Sequence, residues 1–94
     1  MKDIQDLKQQ LTEEGFVHIF EWNDTPNTVY EEHSHKGAVA MYILKGGLTF
    51  YFEDKEILLN EGERFDVPVG RSHRALVGPR GCHYLVGEMI HGDS

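Results

Sequence analysis

The hydrophobic positions at the start of the chain follow the period of an α-helix. Ile4, Leu7 and Leu11 are separated by three and four residues, a spacing that places their side chains on one helical face. Asp3 is in the position of an N-cap, and Gly15 is the residue expected to end the helix. The apolar face is narrow, so we expect this helix to cover another surface, either the edge of a sheet or a partner subunit.

After Gly15 the helical period does not return, and runs of β-forming residues alternate with turn signals. Roughly eight runs recur at intervals of about ten residues, with turns predicted at Gly46-Gly47 and at 78–81 among other places. This arrangement is typical of an antiparallel β-sandwich or barrel. The runs are FVHIFEW, TVYEEHSH, AVAMYILK, LTFYFE, EILL, ERFDVP, HRALV and CHYLVGEMI.

Several runs are apolar on both alternating phases, as in the segments AMYIL and YLV. Strands of this kind need cover on both faces. Closure into a small barrel covers one face, and the helix or a second subunit covers the other, so we predict a homodimer. The chain has no repeat, linker or low-complexity segment, which indicates one domain with a helix at 1–15 and a β-barrel at 16–92.

The composition narrows the classes of function. The chain has 94 residues, with nine basic and sixteen acidic side chains and a net charge of −7. An acidic surface repels phosphate, so we expect neither a nucleic acid nor a membrane as partner. The single cysteine, Cys82, excludes an intrachain disulfide and is expected to be a buried small hydrophobe. Together with the polar first residues, it favours a cytoplasmic location.

Candidate metal chemistry first appears in the segment EEHSHKG, residues 31–37. Residues i and i+2 of a strand face the same side, so His33 and His35 project together with Cβ atoms about 6–7 Å apart. Two imidazoles at this spacing can bind one metal ion. An isolated H-x-H is equally consistent with two solvated histidines, so this segment alone does not decide between the two interpretations.

A second motif lies at residues 62–73, which read GERFDVPVGRSH. Gly62, Pro68, Gly70 and His73 form the pattern G-x5-P-x-G-x2-H. With this pattern and the earlier H-x-H, the chain resembles the cupin family, whose second motif has the same fixed positions followed by x3-N. The resemblance implies an all-β fold, in which two antiparallel sheets form a jelly-roll barrel or double-stranded β-helix, here with a short N-terminal α-helix.

The resemblance also implies that His33, His35 and His73 ligate one divalent metal ion, with Fe, Mn, Zn and Ni as the candidates. The chain departs from the family at the glutamate that usually completes this site. That position falls at Val39 or Ala40, neither of which can bind a metal. Compared with a site that includes the glutamate, a three-histidine site leaves a bound ion with more Lewis acidity and more open coordination positions. The alternative consequence is that the chain has lost the metal.

Two other residues are candidates for the missing ligand. Glu31 shares the strand phase of His33, and His83 lies on the last predicted strand, where its phase is ambiguous. We expect neither to bind the metal, because a solvated Glu31 and a hydrogen-bonded His83 are the simpler interpretations. The asparagine of the family's second motif falls at Val77, which is also apolar.

The cavity expected inside the barrel is small and mostly apolar, and a small-molecule ligand is its expected occupant. No residue stands out as a general base, so the sequence assigns no catalytic residue. Three classes of function remain: a dioxygenase-like or isomerase-like metalloenzyme, a non-catalytic module that binds or senses a small ligand, and a purely structural barrel. The candidate wall residues are Val39, Met41, Ile43, Phe50, Phe52, Phe65 and Val67.

Overall fold

The structure is a computed structural model that describes residues 3–89, so the predicted segment ends at 1 and 92 lie outside it. Within this range it contains one α-helix and six antiparallel β-strands, which confirms the predicted all-β fold with a short helix. No helix in this range is long and apolar enough to cross a membrane. The elements are α1 (Ile4–Glu13), β1 (His18–Asp24), β2 (Val29–His33), β3 (Val39–Tyr51), β4 (Glu56–Asn60), β5 (Arg64–Val67) and β6 (His73–Glu88).

Helix α1 has the two ends that the sequence predicts. The side chain of Asp3 accepts a hydrogen bond of 3.0 Å from a backbone N–H in the first turn. At the other end, Gly15 adopts a φ of 101°, and the N–H of Phe16 donates to the carbonyl of Leu11 at 3.1 Å. This is a Schellman motif, which glycine enters without the steric penalty of a Cβ.

The long strands β3 and β6 pair with each other along most of their length and organise the sheet into two halves. In one half, residues 39–43 of β3 pair with 84–88 of β6, and the outer strands are β1 and β5. In the other half, residues 48–51 pair with 74–77, and the outer strands are β2 and β4. The inner faces of the β1-β6-β3-β5 half and the β2-β6-β3-β4 half share one apolar cluster, as in a two-sheet barrel.

Two of the predicted turns are wrong, because the chain bends there without reversing. Gly46-Gly47 lies inside β3, and residues 78–81 lie inside β6, where they oppose Gly47 alone. A bulge of this kind bends both strands and lets each pass from one half of the sheet to the other. Gly46 has a φ of 80°, and a Cβ there would lie 2.1 Å from the carbonyl oxygen of Gly81. The eight predicted runs therefore merge into six strands.

The two phases of the central strands are buried in two different places. Val39 and Met41 point into the cluster between the two halves. Ala40, Tyr42 and Leu85 point outward and are covered by α1 and Phe16. The prediction that the helix covers another surface is therefore confirmed, although that surface is a sheet face and not an edge.

Cys82 is buried in the inner cluster, as predicted. Burial raises the pKa of its thiol to about 11, and the Asp24 carboxylate adds to this effect. The thiol is therefore protonated at neutral pH and behaves as a small apolar side chain.

Candidate metal centre

Two segments that are distant in sequence bring the three predicted histidines together. His33 is the last residue of β2, and His73 is the first residue of β6, directly opposite it in the register. His35 lies just beyond β2, and its carbonyl accepts a hydrogen bond of 2.9 Å from the N–H of Gly70. Gly70 has a φ of 76°, a conformation that glycine adopts without a steric penalty. Its hydrogen bond to His35 joins the turn of the second motif to the loop of the first motif.

The three imidazole rings meet beside the inner cavity. The ring centroids of His33 and His35 are 4.9 Å apart, those of His33 and His73 are 4.6 Å apart, and those of His35 and His73 are 5.2 Å apart. One nitrogen from each ring lies within 4.8 Å of the others. Two bonds of about 2.1 Å span at most about 4.2 Å, so small side-chain rotations close the cluster around one ion.

Backbone carbonyls fix the orientation of two of the rings. Nδ1 of His33 lies 2.8 Å from the carbonyl oxygen of Glu31, and Nδ1 of His73 lies 3.0 Å from that of Arg71. A carbonyl only accepts hydrogen bonds, so both Nδ1 atoms carry the proton and both Nε2 atoms present a lone pair. A hydrogen bond from the non-ligating nitrogen to a carbonyl is the usual support of a metal-binding histidine.

Two ring nitrogens of the cluster are buried without a hydrogen-bond partner in residues 3–89. They are Nδ1 of His35 and Nε2 of His73, the latter in a residue that is only 1% exposed. A buried polar atom left unsatisfied destabilises a protein by about 1–3 kcal/mol. Two neighbouring ring nitrogens without hydrogen-bond partners fit a divalent metal ion, which accepts lone pairs from neutral imidazole.

The electrostatics of the cluster favour neutral imidazoles. Burial lowers the pKa of His35, and the neighbouring histidines His33 and His73 lower it further. Burial also lowers the pKa of His73, although the hydrogen bond to the Arg71 carbonyl partly opposes this. Both rings are therefore unprotonated at neutral pH, as metal binding requires.

Aromatic rings shield one side of the cluster from water. The rings of Phe50 and Phe52 lie 5.5 and 5.4 Å from the ring of His73. On the other side, His33 and His35 line a cavity of about 400 Å³, which matches the size of ordinary small-molecule sites. The predicted wall residues that line this cavity are Val39, Met41, Phe50 and Val67. The predicted wall residues that pack elsewhere in the inner cluster are Ile43, Phe52 and Phe65.

Neither candidate for a fourth ligand joins the cluster. Glu31 is exposed, and it contributes its backbone carbonyl to His33. His83 points to the outer face, where its Nε2 lies 2.9 Å from the Glu21 carboxylate. Of the two positions where the family glutamate could fall, Val39 faces the cavity without a ligand atom, and Ala40 packs in the outer cluster. Over residues 3–89 the cluster comprises the three histidines and no further His, Cys, Asp or Glu.

Sequence reasoning missed one polar residue of the cavity, Glu88. This residue shares the inward phase of Tyr84 and Val86 and pairs with Val39 across the β6–β3 ladder. A carboxylate therefore lies beside the position where the family glutamate is absent. The alternating phase of β6 was the available signal, but the run CHYLVGEMI is apolar on both phases and does not reveal which phase faces inward.

Together the fold and the site define a class of protein, the small antiparallel β-barrel with a histidine cluster beside its inner cavity. Residues 20–86 match the family model described as the cupin domain, and the chain belongs to the cupin family. The predicted family is therefore confirmed. No curated protein matches the chain.

Several solved structures share the fold. A cupin-2 domain protein from Shewanella frigidimarina is 21% identical with a TM-score of 0.66, over 74% of this chain and 67% of its own. The polyketide cyclase RemF from Streptomyces resistomycificus is 25% identical with a TM-score of 0.66, over 77% of this chain and 54% of its own. The chain thus spans about half the length of RemF. A predicted oxalate decarboxylase from Thermotoga maritima is 18% identical with a TM-score of 0.68, over 87% of this chain and 73% of its own.

Proposed function

We propose that His33, His35 and His73 hold one divalent metal ion and that the protein uses this ion on a small molecule in the adjoining cavity. The observation that supports this most strongly is that two buried ring nitrogens, at His35 and His73, have no hydrogen-bond partner within residues 3–89. Three neutral nitrogen donors suit Fe, Mn, Zn or Ni. When bound, such an ion supplies Lewis acidity and open coordination positions.

The surrounding residues prepare the site for a ligand. The carbonyls of Glu31 and Arg71 hold two imidazoles in the tautomer that carries its proton on Nδ1 and leaves the Nε2 lone pair available to a metal ion. The rings of Phe50 and Phe52 keep water from the buried side of His73. Because no carboxylate of the described part of the chain joins the three histidines to offset the charge of the ion, the site favours a ligand whose metal-binding group is anionic.

The reaction that fits this arrangement best is dioxygenase-like or isomerase-like, because both need a metal with open positions in a mostly apolar cavity. RemF, a polyketide cyclase at 25% identity, is a precedent for enzymatic use of such a barrel. The second candidate is a non-catalytic module that binds or senses a small ligand. The valine at the position of the family glutamate favours it, because a missing ligand weakens metal binding.

The metal content of protein purified without a His tag tests the proposal. We expect wild-type protein supplemented with Fe²⁺, Mn²⁺, Zn²⁺ or Ni²⁺ to retain close to one ion per chain by elemental mass spectrometry. His73→Gln should lose it, because the variant lacks one of the three ligands. His83→Gln is the matched control, since His83 bonds to Glu21 outside the cluster, and it should retain the ion. Equal metal content in wild type and His73→Gln would contradict the proposal.

Substrate screening separates the two candidate functions. Oxygen uptake by the metal-loaded protein with thiols, diketones or phenols would favour the enzyme. Tight binding of one of these compounds without turnover would favour the binding module. The His73→Gln variant is the background for both measurements.

We also propose that the protein is a cytoplasmic homodimer. The outer face of the β2-β6-β3-β4 half carries an exposed row across four strands, formed by Val29, Leu76, Thr49 and Leu58 in register. Val29 and Leu58 are each 62% exposed. The next row contains Arg74 and Glu56 on either side of Tyr51, so a second copy related by a twofold axis would oppose unlike charges.

A further inference from the structure

A carboxylate lies on the wall of the cavity and is not one of the three clustered histidine ligands. Glu88 lines the cavity, and its side chain is 13% exposed. Its Oε1 accepts a hydrogen bond of 2.8 Å from Nδ1 of His18, the residue opposite it on β1. Glu88 and His35 line the same cavity.

The other polar groups on this wall are already engaged. Three side chains donate hydrogen bonds to the carboxylate of Asp24: the hydroxyl of Tyr30, the hydroxyl of Tyr84 at 2.7 Å, and the indole N–H of Trp22 at 2.9 Å. These three side chains line the cavity with their polar atoms already hydrogen-bonded to Asp24. Glu88 differs, because a carboxylate offers about four acceptor positions and His18 occupies one of them.

No basic side chain other than His18 forms an ion pair with Glu88 in the described part of the chain. Among residues 3–89, those that line the cavity include no lysine or arginine. An anionic acceptor in a mostly apolar cavity favours a ligand that supplies the missing donor, because a charge in low dielectric gains more from a partner than it does in water.

We propose that Glu88, held in place by His18, is a specificity-determining residue that accepts a hydrogen bond from a hydroxyl or protonated amine of the ligand. The ligand class is then a small molecule with an apolar or aromatic frame, a metal-binding group at one end and a hydrogen-bond donor at the other. This inference rests on the proposed function, since it concerns the same cavity, but the recognition by Glu88 can be tested without the metal.

The test measures binding of three matched fluorinated probes to chelator-treated protein by fluorine NMR titration. The probes are para-fluorobenzylamine, which is cationic at neutral pH, para-fluorobenzyl alcohol and para-fluoroethylbenzene, which has no donor. We expect the amine to bind about tenfold more tightly than the ethyl compound, as a charge-assisted hydrogen bond allows, with the alcohol between them.

Variants locate the cause of this preference. Glu88→Gln should bind the amine and the ethyl compound almost equally, because the charge is lost while the shape is kept. Glu21→Gln is the matched control, since it removes the carboxylate of a second histidine pair of 2.9 Å that lies outside the cavity, and it should keep the wild-type preference. Glu88→Asp, which retains the charge, provides a second variant if Glu88→Gln does not fold.

Three outcomes would overturn the inference: equal binding of all probes to wild-type protein, no binding of any probe, or a preference that survives in Glu88→Gln. None of them depends on metal content. A preference for the amine, together with a failure of the wild-type protein to retain metal in the elemental analysis, would therefore support Glu88 while contradicting the proposed metal site. Metal binding without the preference would do the reverse.

Discussion

Replacing His73 by leucine should stabilise the metal-free protein but destabilise the metal-bound protein, each relative to the wild type. In metal-free protein, the buried Nε2 of His73 has no hydrogen-bond partner among the described residues 3–89, which destabilises the fold by about 1–3 kcal/mol. The variant removes that atom but loses the hydrogen bond to the Arg71 carbonyl, which is worth about 0.5–1.5 kcal/mol. Arg71 is exposed, so water can replace this bond. We expect metal-free His73→Leu to be more stable by about 1 kcal/mol.

Metal changes the balance in the opposite direction. An ion at about 100 times its dissociation constant stabilises the wild-type protein by about 2.7 kcal/mol, and it should do little for a variant with two remaining ligands. The wild type is then the more stable protein by about 1–2 kcal/mol. A change of about 1 kcal/mol shifts the melting temperature of a domain of this size by about 4–8 °C, which is easily measured.

Urea denaturation followed by circular dichroism, once with chelator and once with saturating Zn²⁺, provides the assay. His83→Leu is the control, because it removes a hydrogen bond to Glu21 on the outer face and should leave the metal effect unchanged. If His73→Leu were destabilised by more than about 2 kcal/mol with chelator, the orphan-nitrogen argument would be wrong. If it gained as much stability from Zn²⁺ as the wild type, the metal would bind elsewhere.

Three further predictions concern pH, backbone geometry and assembly. Burial lowers the pKa of His73 below its ordinary value of 6.5, so the unfolded state binds more protons than the folded state. Metal-free protein should therefore lose stability as pH falls below about 6.5, which urea denaturation at a series of pH values would show. Gly46→Ala should destabilise the fold by several kcal/mol more than Gly70→Ala in denaturant titrations. Both residues have a positive φ, but of the two only Gly46 would place a Cβ against backbone, at 2.1 Å. Equal effects of the two substitutions would argue against this close approach. Leu58→Glu should convert a dimer into a monomer by light scattering, whereas the control Val69→Glu, at a residue 56% exposed, should not; a monomeric wild type would refute the assembly.

Local sequence signals predict a large part of the fold. The caps of α1 at Asp3 and Gly15 are set by nearby backbone groups, so the spacing of a few residues identifies them. The same is true of the turn at Gly70, which the second motif encodes and which places His73 at the start of β6. The resemblance to cupins predicted the histidine cluster, because the spacing of the two motifs indicates which strands, distant in sequence, lie next to each other.

What the sequence does not reveal depends on register between distant strands. Glycine signals at 46–47 and 78–81 are equally compatible with a chain reversal and with a bulge inside a strand, and only the pairing of β3 with β6 decides between them. The inward orientation of Glu88 and the outward orientation of His83 also depend on this register. A shift of one residue moves a side chain to the opposite face, so an apolar run on both phases leaves the assignment open.

The most direct test of the central proposal is a crystal structure of untagged protein grown with Zn²⁺ or Fe²⁺, with data collected on both sides of the absorption edge of the metal. The predicted result is one anomalous peak between the rings of His33, His35 and His73, within about 2.0–2.2 Å of one nitrogen from each. A map without a peak at this position, or with its only peak beside other residues, would contradict the assignment of these three histidines as a metal centre.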